Sequence, residues 1–243
     1  MYSCTKKKPV LLAVPIICSL LMTGFLVQFA SQVHAVTNPT HHQGMDAPRI
    51  DEYDIFRNDR RVGTHVVKRL RSDDRLVVEI RSRISITLIG FELYRFHYDA
   101  REEWDESGLL SLSVKVNDDG KPAALEGRRQ DNEFQWEYGQ MQASSSMPVY
   151  PTNHWNAAVL DHDAVLNTLT GKINKVNITR DVTNSSLQDI DLTSATRYRY
   201  EGQLQLSSWY NDDGDWLAMQ FIAKDGSVID YRCSNCKQVQ VRE

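Results

Sequence analysis

The sequence lacks the local motifs that mark most enzymes. It has no G-x-S-x-G nucleophile elbow, and Ser144-Ser145-Ser146 lies in a linker-like run without a strand-to-helix context. It has no glycine-rich phosphate loop, and no two histidines stand four residues apart around the Glu that marks helical zinc hydrolases. These absences argue against the common nucleophilic, nucleotide-dependent and zinc-dependent chemistries, and we expect no cofactor and no resident metal.

Positive charge is also in short supply. Residues 36–243 carry 25 basic and 32 acidic side chains, a net charge of −7 with histidine neutral. Because proteins that bind nucleic acid concentrate positive charge, this balance argues against a nucleic-acid partner. One basic cluster is interleaved with aspartates and is interpreted as a solvated strand face and hairpin tip; it comprises Arg57, Arg60, Arg61, Lys68, Arg69 and Arg71.

Cysteine is rare, and only Cys233 and Cys236 lie beyond the first 35 residues. In an oxidising compartment this C-S-N-C pair can close a small disulfide loop. A thioredoxin-like role requires the motif at the start of a helix, whereas here it follows a strand-like segment. A zinc site requires a second ligand pair, which is missing at matching spacing. We predict a disulfide or two idle thiols, with redox chemistry and metal binding as alternatives.

Residues 1–35 are interpreted as an export signal. Three lysines at positions 6–8 precede an almost wholly apolar run over residues 10–29, and Val33-His34-Ala35 offers a cleavage site after Ala35. The run is about as long as the roughly 20 residues that cross a bilayer, so an uncleaved anchor is the alternative. We expect a periplasmic or secreted protein that contacts a membrane only through this segment, if the segment is not removed.

The rest of the chain shows strand periodicity and little helical periodicity. Residues 36–50 form a polar leader that we expect to be mobile, and residues 51–243 form one β-rich domain. From Leu76 to Leu88, apolar and polar residues alternate as in a long half-buried strand. The one helical candidate spans residues 153–169. These patterns predict a mainly β fold, a single curved antiparallel sheet or half-open barrel of long strands with one short helical connector.

Two N-D-D-G runs, at residues 117–120 and 211–214, recur in similar contexts and indicate two similar meanders within one sheet. Calcium loops space their acids at alternate positions and close on a Glu, but here the acids are adjacent and no closing Glu follows. We therefore interpret both runs as hairpin turns. The seam between the two meanders is predicted at residues 141–151.

The densest group of acid, base and metal-ligand side chains lies between residues 150 and 163. His154 and His162 stand eight residues apart, which would place them only loosely on one face of a helix. A hydrolase-type site that uses His154, Asp161 and His162 is one hypothesis. The alternative is that Trp155 anchors a connector to the sheet and the polar residues serve as caps.

Aromatic residues concentrate on one face of the predicted sheet. If the sheet stays partly open, this face lines a concavity suited to a lipid or another hydrophobic small molecule; if it closes, the face packs against itself. The candidate ligand-binding residues are Tyr94, Phe96, Tyr98, Trp104, Trp136, Tyr198 and Tyr200.

Several segments resemble a bacterial family of unknown function, number 6134. The stretch from Tyr53 to His65, YDIFRNDRRVGTH, resembles the family's Y-D-V-x-L-x-G-x-x-I-G-x-H opening, except that Asp59 replaces the first glycine. The similarity extends over about Asp51 to Arg232 and includes residues 96–104, 108–112, 150–155 and 209–214. The resemblance implies an exported protein of Gram-negative bacteria with a half-barrel-like sheet, and it supplies no activity or catalytic residues.

Three functions are consistent with these features. The first is a non-enzymatic envelope protein that binds a lipid or other hydrophobic ligand on the concave sheet face. The second is an assembly module that docks on another envelope component through a sheet edge or an apolar patch. The third is the hydrolase-type enzyme already described.

Overall fold

The computed structural model describes residues 47–181, 187 and 195–236. The predicted export signal and all but the end of the predicted leader lie outside the described residues. Within them, no helix is long and apolar enough to cross a membrane. Strand β1 begins at Arg49, two residues before the predicted start of the domain.

Within the described residues, fourteen antiparallel strands form one sheet, as the alternating pattern predicts. The first meander contains β1 Arg49–Arg57, β2 Arg60–Ser72, β3 Arg75–Leu88, β4 Phe91–Asp105, β5 Gly108–Asp118, β6 Lys121–Gln130, β7 Glu133–Tyr138 and β8 Met141–Ser146. The second contains β9 Ala164–Asn167, β10 Lys172–Asp181, β11 Ala195–Gly202, β12 Leu206–Asn211, β13 Trp216–Ile222 and β14 Val228–Asn235.

The two meanders are joined through the first and last strands of the sheet. The spatial order is β8-β7-β6-β5-β4-β3-β2-β1-β14-β13-β12-β11-β10-β9, so β1 and β14 pair in the middle and β8 and β9 form the two edges. The ladders of the described strands do not join these edges, so the sheet is not closed. The prediction of one curved sheet built from two meanders is confirmed.

The two N-D-D-G runs form turns between neighbouring strands, as predicted. The Asn117 side-chain oxygen accepts a hydrogen bond from the Gly120 amide at 2.8 Å, and that of Asn211 accepts from the Asp215 amide at 2.7 Å. Asn side chains favour such turns because they can bond to the backbone a few residues further on. The predicted seam needs a correction, because residues 141–146 form edge strand β8 and the connector starts only at Met147.

The sheet curls until its two edge regions touch. The Trp136 indole N–H donates to the Gly171 carbonyl at 2.8 Å, and the Tyr138 hydroxyl donates to the Leu169 carbonyl at 2.7 Å. Gly171 has φ +68°, and a Cβ there would lie 2.5 Å from the Tyr138 side chain. Side chains of β7 therefore meet the β9–β10 turn where a strand ladder would have closed a barrel.

The segment from Met147 to Asp163, here called the connector, crosses the concave side of the sheet between the two edges. Val149, Trp155 and Val159 are buried against the sheet. Its one turn of 3₁₀ helix, Ala157–Asp161, is capped by the Asn156 side chain, which accepts from the Ala158 amide. The short helical connector is confirmed, but the end of the helical candidate 153–169 is strand β9, which pairs with β10.

Candidate functional site

A cavity of about 520 Å³ lies between the concave sheet face and the connector. This volume is within the roughly 300–1,000 Å³ of small-molecule sites. The surface of its walls is mainly apolar, although about half of the lining residues have polar side chains. The apolar lining residues include Phe96, Leu204, Leu206, Met219, Phe221 and Ile222, and the polar ones include His65, Ser82, Tyr98, Asn153, His154 and Thr168.

The cavity opens at the end of the sheet that carries the β3–β4, β9–β10, β11–β12 and β13–β14 turns. Antiparallel pairing places all of these turns at one end. Five of the six strongly exposed large apolar side chains of the described residues lie there, and the sixth, Ile50, lies at the opposite end. The five are Ile89, Phe91, Leu93, Leu169 and Ile222, of which the last two also line the cavity.

His65 occupies the inward side of β2, deep in the cavity wall. Its Nδ1 lies 2.7 Å from the Ser82 hydroxyl, and its ring packs edge-on against Trp216 and Tyr231. Its Nε2 is buried without a hydrogen-bond partner among the described residues. Burial, and secondarily the neighbouring His154, lowers the pKa of His65 to about 3. His65 is therefore neutral near pH 7 and is too weak a base to activate Ser82.

His154 reaches the same cavity from the connector. Its backbone is left-handed, with φ +59°, a conformation that non-glycine residues adopt only when the surroundings enforce it. The Tyr210 hydroxyl donates to its carbonyl at 2.8 Å, and its ring packs edge-on against Tyr200. Burial lowers the pKa of His154 to about 4, so both imidazoles of the cavity are uncharged at neutral pH.

A buried carboxylate fixes the connector that carries His154. The side chain of Glu102, on the inward side of β4, is fully buried. The indole N–H groups of Trp104 and Trp155 donate to its Oε2, each at 2.8 Å, and the Asn153 amide donates to its Oε1. We call these four residues the Glu102 anchor. Burial raises the pKa of Glu102, and the three donors oppose that rise.

The Glu102 anchor continues into the cavity wall through Tyr98. The Tyr98 hydroxyl donates to Asn153 Oδ1 at 2.7 Å and also approaches Thr168 Oγ1 at 3.1 Å. Residues from β4, the connector and the β9–β10 turn are thereby tied together. The polar atoms of this wall are already satisfied by one another, which suits a rigid pocket.

Only some of the seven aromatic residues predicted to bind the ligand lie at the cavity. Phe96 and Tyr98 line the cavity, and Tyr200 contacts it indirectly through the His154 ring. Trp104 belongs to the Glu102 anchor. Trp136 is buried where the edges meet, Tyr198 packs edge-on against Tyr210, and the Tyr94 hydroxyl donates to Asp118.

The hydrolase candidates do not converge. His154 lies in the cavity wall, whereas Asp161 and His162 line a separate depression, where the His162 ring stacks on Tyr150. The described residues contain no group of three His, Cys, Asp or Glu side chains arranged to hold a metal ion. Trp155 anchors the connector to the sheet, as the alternative interpretation of this segment predicts.

Cys233 and Cys236 are joined as a disulfide at the end of β14, with their Cα atoms 6.0 Å apart. Neither residue lines the cavity. The bond therefore closes a local loop and has no direct part in the site.

Sequence reasoning missed His65, Ser82 and Glu102 because each interrupts an apolar alternation with a polar residue. All three sit on the inward parity of their strands and are buried. The detectable signal was a polar side chain on the apolar face of a long strand, since buried polar groups require partners.

Fold and site together define a half-open, β-barrel-like protein with an apolar cavity at an open end of the curled sheet. A family model described as a domain of unknown function, DUF6134, matches residues 53–234. The chain therefore belongs to this family, which confirms the resemblance predicted from its motifs.

A solved structure shares the fold. It is described as the beta-barrel-like protein of domain of unknown function DUF1849 from Brucella abortus, with a TM-score of 0.55 and 9% sequence identity. The match covers 77% of this chain and 96% of the other. No curated protein matches the sequence.

Proposed function

We propose that this protein is a non-enzymatic, exported binding protein that holds a hydrophobic ligand, an acyl chain, in the cavity. The observation that carries the proposal is an apolar cavity that opens at the end of the sheet where most of the exposed apolar side chains gather. Because Leu169 and Ile222 belong to both the lining and the exposed set, an apolar ligand meets no continuous polar rim on entry. The export segment predicted at residues 1–35 supports a binding function outside the cytosol.

The chemistry of the walls also favours binding over catalysis. Both histidines are uncharged, and the oxygens of Glu102 are occupied by three N–H donors. The cavity therefore offers apolar contact and a few oriented hydrogen-bonding groups, the composition typical of small-molecule sites.

Native mass spectrometry of the purified protein tests the proposal. We expect bound lipid-sized adducts that disappear in Leu204→Trp, because the larger ring fills the cavity from the β11–β12 turn. Leu93→Trp is the matched control, since Leu93 is exposed at the same end and does not line the cavity. If wild-type protein carries no adduct and binds no added acyl probe, the proposal fails.

A further inference from the structure

Lys224 gives the cavity mouth a single charge. Of the described residues that line the cavity, it is the only one with a formal charge at neutral pH, since the lining contains no Asp, Glu or Arg and both histidines are uncharged. Lys224 lies in the β13–β14 turn, after the exposed Ile222 and the half-buried Ala223.

The acidic neighbour of Lys224 is engaged elsewhere. The Asp225 carboxylate accepts hydrogen bonds from the Ser227 amide and hydroxyl, and Arg57 pairs with it at 2.6 Å. No ion pair to Lys224 occurs within the described part of the chain. The lysine is therefore available to a negatively charged group at the mouth.

The cavity also limits how much apolar chain it can take. At roughly 30 Å³ for each water-sized unit, about the size of one methylene, 520 Å³ holds about 17 units. That capacity matches one long acyl chain, whereas two such chains would need about twice the volume. From Ile222 at the mouth to Trp216 in the wall, the seven residues of β13 span roughly 20 Å.

We propose that the ligand is a single-chain amphiphile with an anionic headgroup, which Lys224 holds at the mouth while the chain points inward toward His65, His154 and Trp216. This inference rests on the proposed function and adds the ligand's charge, chain number and direction. The uncharged inner wall would reject a buried carboxylate or phosphate, because an unpaired buried charge costs far more than an exposed one.

Binding of hexadecanoate and of methyl hexadecanoate to the purified full chain, freed of bound lipid, tests the headgroup. We expect wild type to bind the anion about three- to fivefold more tightly than the ester, the size of an exposed ion pair. Lys224→Met should remove this preference, Lys224→Arg should retain it, and Lys224→Glu should reverse it. Lys121→Met, at the start of β6 at the same end and outside the lining, should behave as wild type.

The outcomes separate the two proposals. In one outcome, both probes bind wild type with equal affinity, neither binds Leu204→Trp, and no Lys224 variant changes either affinity. The cavity then binds acyl chains, and the headgroup inference is overturned. If wild type binds neither probe, the proposed function fails and this inference fails with it. Equal weakening in the Lys224→Met and Lys121→Met variants would indicate general electrostatics and would also overturn the role of Lys224.

Discussion

At the residue scale, the most informative side chain is one that interrupts the apolar pattern. Glu102 sits where alternation calls for an apolar residue, between the inward-facing Ala100 and Trp104. It is tolerated because three N–H groups bond to its two oxygens. Two of those donors come from the connector, so one buried carboxylate fixes the loop that forms a cavity wall.

Glu102→Gln should lower the free energy of unfolding by about 1–3 kcal/mol, the cost of leaving a buried polar group unpaired. A glutamine can still accept from both indoles, but its NH₂ group then faces the NH₂ group of Asn153, whose oxygen already accepts from Tyr98. Urea denaturation measures the change. Glu126→Gln, at an exposed outward position on β6, is the control and should stay within about 0.5 kcal/mol of wild type. An unchanged free energy of unfolding in Glu102→Gln would contradict the anchoring role.

The buried histidines predict that stability falls in mild acid. The unfolded chain takes up protons on His65 and His154 near the ordinary pKa of 6.5, whereas the folded chain holds their pKa values at about 3 and about 4. Their contribution is therefore complete above pH 6.5 and is lost as the pH falls, by at most about 1.4 kcal/mol per pH unit for each histidine.

Urea midpoints between pH 6.5 and 5 measure this slope. His154→Asn, which keeps a side chain suited to positive φ, should reduce the slope by about half. Glu102 acts with the opposite sign, because its raised pKa favours the folded state as the pH falls. An unchanged slope in His154→Asn would show that other groups carry the acid sensitivity.

At the element scale, the meeting of the two edge regions decides the curl of the sheet. The contacts there are two side-chain hydrogen bonds to carbonyls of the β9–β10 turn and the close approach of Gly171 to Tyr138. The sequence contains no local sign that β7 and the β9–β10 turn touch, because the whole connector separates them along the chain.

Gly171→Ala should destabilise the protein more than Gly139→Ala. Both glycines have positive φ, +68° and +59°, so both variants incur the left-handed cost of about 1–2 kcal/mol. Only at Gly171 would the new Cβ also collide with Tyr138, since nothing lies within 4 Å of a Cβ at Gly139. The difference in thermal unfolding between the two variants isolates the packing of the edges. Equal losses would show that the edges do not press together at this point.

At the scale of the whole molecule, the first and last strands share the centre of the sheet, and no ladder among the described strands joins its two edges. The connector must therefore pass from edge β8 to edge β9 across the concave side. That path fills part of the interior and leaves the cavity at one end. Because the connector fills only part of the interior of the open sheet, some residues of the predicted aromatic face are core and others are cavity wall.

Binding in this cavity should stabilise the whole domain. A ligand at 100 times its dissociation constant raises the free energy of unfolding by about 2.7 kcal/mol when it binds only the folded state. Urea unfolding with and without hexadecanoate should show a higher midpoint at an unchanged slope. The Leu204→Trp variant should show no shift, whereas Leu93→Trp should respond as wild type does. A shift of equal size in both variants would place the ligand outside the cavity.

The sequence by itself determined the long alternating strands, the two N-D-D-G turns and the family. These features depend on alternation and turn chemistry, which act over a few residues. Only the tertiary structure decided which aromatic residues line the cavity and that His154 lies apart from Asp161 and His162. It also decided that Asn153 and Trp155 donate hydrogen bonds to Glu102. The reason is that these outcomes depend on where the curled sheet brings distant segments together, and no local pattern encodes the contacts between β4, β7, the connector and the β9–β10 turn.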